Sequence, residues 1–69
     1  MDEDQVAVTD ARANLSELVA SVRLQNRPIW LTQHGRERVV VVPLEVGEEI
    51  RRAGGVEALL KLIRQHQAA

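Results

Sequence analysis

The chain has 69 residues, a formal net charge of −1 and no cysteine. A core this small is marginal without disulfides, a metal or a partner copy, and the missing cysteines exclude disulfides and thiolate-bound metal. His34 and His66 are the only histidines, and no set of further ligands is grouped with either. Oligomerisation is therefore the expected route to stability.

The balanced charge gives no sign of a nucleic-acid binder, but its distribution is uneven. Asp2, Glu3 and Asp4 form an acidic start, while Gln5 to Pro43 carries five arginines against Asp10, Glu17 and Glu37. A fold can gather that excess on one face. No apolar run approaches the roughly 20 residues that span a bilayer, and the acidic start is unlike a secretory signal. A cytoplasmic location away from membranes is expected.

In chain order, residues 1–4 are expected to fray and Gln5 to Val8 reads as a short strand. Thr9 is the predicted N-cap of a helix, with Asp10 favourably placed in its first turn. Ala11 is followed by Leu15, Leu18, Val19 and Val22, whose i, i+3, i+4, i+7 spacing predicts one helix with one buried stripe. Asn26 to Pro28 ends it, because proline disfavours helix in the residue before it. Ile29 to Gln33 alternates as a strand, His34 to Glu37 connects through Gly35, and Val39 to Val42 is a second strand, which together read as a hairpin. Pro43 stops the sheet.

A strand wet on one side should alternate, yet Val39 to Val42 is apolar on both faces. One helix covers one face, so the other face or an adjoining edge needs a partner. A second copy is the simplest one, and an obligate homodimer is predicted.

Glu45 to Ala53 reads as a short helix with Val46, Ile50 and Ala53 inward, broken by Gly54-Gly55. Val56, Leu59, Leu60 and Ile63 repeat the i, i+3, i+4, i+7 pattern, Leu62 widens the apolar face, and Glu57 with Lys61 forms a favourable i, i+4 pair. A helix of about fifteen residues is marginal alone in water, so this one needs something to pack on.

Arg12 falls in a first helical turn, where anions are favoured, and a guanidinium can read guanine in the major groove. The ordinary alternative is a salt bridge to Asp10 or a solvated side chain. Arg36 and Arg38 flank the hairpin turn, as phosphate contacts or as exposed residues partly cancelled by Glu37. His34 reads as a turn residue. Trp30, the only aromatic, suits a dimer core better than base stacking, which usually uses several rings. No nucleophile–base pair, metal cluster or phosphate-cradling glycine loop is present, which argues against an enzyme.

The succession Val8, Thr9, Asp10-Ala11-Arg12, Asn14-Leu15, then Pro28, Ile29 to Leu31, Thr32, Gln33-His34, Gly35 and Val39 to Pro43 resembles the N-terminal region of the Phd/YefM (prevent-host-death) antitoxins over roughly residues 5–50. The resemblance implies an α+β fold: a short N-terminal strand, a helix, a β-hairpin and C-terminal helices, in a homodimer sharing one sheet. It implies a dimerisation and DNA-binding domain over residues 1–53 and a C-terminal toxin-binding helix over 54–69. Carried over by position, Arg12 is the leading DNA contact, with Thr9 and Asn14 beside it, and Gln33, Arg36 and Arg38 complete the set. Ile50, Val56, Leu59, Leu60 and Ile63 are the corresponding toxin-binding residues.

The implied protein is a type II antitoxin, a dimeric autorepressor that binds operator double-stranded DNA and neutralises a cognate protein toxin, expected to be a ribonuclease. No cofactor or metal is implied. The chain departs from its relatives at Gln33, where many carry Arg, although Arg36 and Arg38 lie nearby. It also lacks an aromatic after the second hairpin strand, and its tail is neutral where others are longer and more acidic. The alternative is a dimeric protein-interaction module without DNA binding, favoured by the neutral charge and by Gln33. A repressor with no toxin is a third possibility.

Overall fold

The computed structural model describes residues 4–68. The order is β1 (Gln5–Ala7), α1 (Val8–Ala13), α2 (Leu15–Gln25), β2 (Ile29–Gln33), β3 (Arg36–Val41), α3 (Leu44–Ala53) and α4 (Val56–Ala68). This is the expected α+β succession of strand, helix, hairpin and C-terminal helices. The sheet is ordered β1-β2-β3, with β1 parallel to β2 and β2 antiparallel to β3.

The first helix differs from the expectation in two ways. Its N-cap position is Ala7, which makes no side-chain capping bond, so Thr9 lies inside the helix rather than at its cap. Ala7 is still paired with Thr32 in the sheet, and the chain turns into helix directly from that pairing. The predicted single helix is also divided at Asn14 (φ −127°, ψ 40°). The Asn14 N–H donates to the Asp10 carbonyl at 3.0 Å, its side-chain amide donates to the same oxygen at 3.3 Å, and the Asn14 carbonyl accepts from the Leu18 N–H at 3.0 Å. Asparagine offers the backbone such local alternatives, which is why it weakens helix interiors.

The break lets Ala11 of α1 and Leu18 and Val22 of α2 reach the same sheet face, where they are buried with Ile29. Val6, Leu31 and Val41 pack around them. The pairings Val6↔Leu31 and Ile29↔Val41 place these strand residues on one face. The predicted stripe on α2 is only half covered: Leu18 and Val22 are buried, whereas Leu15 and Val19 are 59% and 51% exposed. Four residues make too small a core to bury the remainder of the stripe.

The hairpin is tighter than expected. Its connection is His34-Gly35 alone, and β3 begins at Arg36 rather than Val39. Both turn residues have left-handed backbones, φ 55° and 76°, as in the type I′ turns that match strand twist. Leu31 pairs with Val39 and Thr32 with Glu37, so Arg38 is the extra residue of a β-bulge. Asp4 is held in place, not frayed: its carbonyl accepts from the Trp30 N–H at 2.6 Å and its carboxylate pairs with Arg27 at 2.8 Å. The rest of the acidic start, Asp2 and Glu3, lies outside the described residues.

Helices α3 and α4 pack on each other and only marginally on the rest of the chain. The radius of gyration is 13.9 Å, against roughly 11 Å for a compact chain of this length. The Gly54-Gly55 joint is closed by hydrogen bonds. Gly54 N–H donates to Arg51 O at 3.0 Å and Gly55 N–H to Ile50 O at 2.9 Å, with φ of 107° and 120°. Such left-handed caps favour glycine. The expected inward residues of α3 are unevenly covered: Ile50 and Ala53 are half-buried, and Val46 is exposed. The expected Glu57–Lys61 pair is absent, and Arg52 pairs with Glu49 on α3 instead.

Candidate nucleic-acid interface

The parallel pairing of β1 with β2 ends at Ala7↔Thr32. The start of α1 and the tip of the hairpin therefore emerge at the same end of the sheet. Thr9 comes from the start of α1, and Gln33 and Arg36 from the hairpin, where they form the last cross-strand pair before the turn. Arg12 lies in the last turn of α1 and not in the first as expected, because the helix begins at Val8 rather than after a Thr9 cap. Paired residues share a face of the sheet, so Gln33 and Arg36 project together. All four side chains are exposed.

The other two candidates are placed differently. The bulge sets Arg38 beside Trp30 and Val40, where these residues line a shallow depression with Glu37 and Val39. Asn14 lies beyond the far end of α1, and its amide is occupied by the Asp10 carbonyl. The structure thus brings Thr9, Gln33 and Arg36 to one end of the sheet, places Arg12 one helical turn along α1 from Thr9, and sets Arg38 and Asn14 apart.

The charges at this end are uncompensated. Arg12, Arg36 and Arg38 form no ion pair among the described residues, and Asp10 does not bridge to Arg12. Glu37, next in sequence to both hairpin arginines, instead accepts a hydrogen bond from Gln5 Nε2 at 2.9 Å across the sheet. At six residues α1 is short, so its dipole adds little here. The side chains supply the positive charge.

Two apolar surfaces are also left open. On the face away from α1 and α2, Trp30 stands opposite Val40, and the two are 36% and 43% exposed. Alongside α2, Val19, Val22, Val42, Pro43 and Leu44 line a groove at the junction of the sheet with α3. The valine run signalled the first surface. The second has no separate signal in the sequence, because the helical spacing places Val19 in the core stripe.

The candidate toxin-binding residues divide by burial. Ile50, Leu59 and Leu60 are half-buried, while Val56 and Ile63 are exposed. Among the described residues no helix is long and apolar enough to cross a membrane, and no cluster of three or more His, Asp or Glu side chains could hold a metal ion.

No curated protein and no solved structure matches the chain. Residues 3–68 match the family described as Antitoxin Phd_YefM, type II toxin-antitoxin system. That match spans the strand, the divided helix, the hairpin and both C-terminal helices, and the chain belongs to the Phd/YefM family of type II toxin–antitoxin antitoxins.

Proposed function

We propose that this antitoxin is a homodimeric repressor that binds duplex operator DNA through the hairpin end of its sheet and neutralises its cognate toxin through α4. The observation that carries the DNA reading is the pair Gln33 and Arg36, exposed at the hairpin end of the sheet, with Arg12 exposed on the adjoining α1 and no carboxylate paired to either arginine among the described residues. Phosphate contacts from arginine supply the sequence-independent part of duplex affinity. Thr9 adds a hydroxyl at the same end. Arg38 adds charge from the adjoining face, and Asn14 holds the turn that orients α1.

The dimer is supported by the exposed Trp30–Val40 pair and by a core of four buried residues. Residues 1–53 form the dimerisation and DNA-binding unit, and 54–69 the toxin-binding arm. The arm reading is supported by the exposed Val56 and Ile63 on a helix whose main packing is against α3. Amphipathic helices of this kind dock into grooves on partner proteins, with Ile50, Leu59 and Leu60 completing the apolar surface.

Mobility shifts with the DNA upstream of the protein's own gene, across a salt series, test the first half. Binding that weakens with salt and is reduced in Arg12→Ala is expected. A folded dimer with no duplex affinity at low salt would instead favour the protein-interaction module. Co-purification with the product of the neighbouring gene, lost when residues 54–69 are deleted while DNA binding is kept, tests the second half.

A further inference from the structure

The hairpin end of the sheet presents one side chain suited to reading a base rather than holding a phosphate. Bidentate recognition of adenine needs a donor and an acceptor on one planar group, which asparagine and glutamine supply. Two such amides near the sheet are already occupied: Gln5 donates to the Glu37 carboxylate and Asn14 to the Asp10 carbonyl. Gln25 and Asn26 close α2 at the opposite end of β2, and Gln65 and Gln67 lie on α4. Gln33 is exposed and makes no side-chain hydrogen bond to any described residue.

Its setting is rigid. Gln33 is the last residue of β2, paired with Arg36, and the next two residues form a two-residue turn with both backbones left-handed. A site on a strand holds a side chain more precisely than a long loop does. Arg36 shares its face, so a phosphate contact by Arg36 would fix the register in which the Gln33 amide meets a base edge.

We infer that Gln33 is a specificity-determining residue that reads an adenine in the major groove of each operator half-site through its side-chain amide. The inference rests on the duplex DNA binding proposed above. Glutamine carries no charge and displaces no counterion, so its contribution lies in base preference and not in the salt dependence of binding.

The test selects duplexes from a randomised pool with the wild-type protein, Gln33→Ala and Gln33→Arg, followed by anisotropy titrations of the selected sequences over a salt series. The wild type is expected to select adenine at one position of each half-site. Gln33→Ala should lose that preference by roughly five- to 150-fold, the worth of one bidentate pair, with the salt slope unchanged. Gln33→Arg should move the preference at that position to guanine. If both variants select the wild-type consensus at every position, Gln33 is no base reader, while DNA binding stands. If the wild type selects no consensus, the operator reading itself is overturned, and the inference with it. Gln33 is exposed and outside the core, and circular dichroism of each variant confirms that the fold is retained.

Discussion

Trp30 on β2 stands directly across from Val40 on β3, on the sheet face turned away from α1 and α2. Its position makes the only aromatic ring of the chain a reporter for whatever covers that face. A second copy seated there should shift Trp30 emission to the blue, and dilution should reverse the shift with the same midpoint as the fall in mass by light scattering. Val40→Lys should weaken the dimer. Losing the burial of a valine costs about 1.5 kcal/mol per copy, or about 3 kcal/mol per dimer, which is roughly a 100-fold rise in the dissociation constant. A variant with wild-type association would place the dimer contact elsewhere.

The salt dependence of operator binding counts phosphate contacts. The slope of log affinity against log salt changes by about 0.9 for each phosphate contacted on a duplex. Arg36→Ala removes one arginine from each copy and should flatten the slope of a dimer by about 1.8. Arg12→Ala should reduce affinity while leaving the thermal melt unchanged, since its exposed side chain has no ion-pair partner among the described residues. Unaltered affinity in both variants would remove the hairpin end as the DNA face.

The buried core is small enough that one residue matters. Leu18 is 6% exposed between α2 and the sheet, and Leu18→Ala should cost about 2–5 kcal/mol. Leu24 has the same chemistry on the same helix but is 75% exposed, and Leu24→Ala should stay within about 0.5 kcal/mol. Urea unfolding at one fixed protein concentration compares the two. A larger loss at Leu24 would show that it is covered in the assembled protein.

Two glycines of the C-terminal half should respond in opposite directions. Gly54 has φ 107°, and a Cβ there would lie 3.4 Å from that of Ala58, so Gly54→Ala should destabilise the α3–α4 joint by about 1–2 kcal/mol. Gly47 sits inside α3 with nothing within 4 Å of a built Cβ, so Gly47→Ala should stabilise that helix by about 0.5–1 kcal/mol. Thermal melts followed by circular dichroism give both signs. A destabilising Gly47→Ala would mean that another chain approaches α3 closely at that point.

Much of the architecture is local and could be read from residue order. Proline at 28, the mixed β-branched and aromatic types at 29–33, the valine run at 39–42 and the glycine pair at 54–55 each act through backbone preference, so the hairpin and the C-terminal helices were legible. The apolar pattern also announced an uncovered sheet face, because a valine run cannot alternate. What sequence spacing alone could not reveal depends on contacts between distant segments. Periodicity marked Leu15 and Val19 as core, but whether a stripe is buried depends on how much surface faces it, and four buried residues leave those two outside. The division at Asn14 and the bulge at Arg38 arise where a local preference meets the register of the sheet. The placement of the start of α1 beside Gln33 and Arg36 follows from the parallel pairing of β1 with β2, which joins residues 25 positions apart. The sequence by itself determined the elements and the residue types at the site; only the tertiary pairing decided which of them share one end of the sheet, because that placement is set by hydrogen bonds between strands remote in the chain.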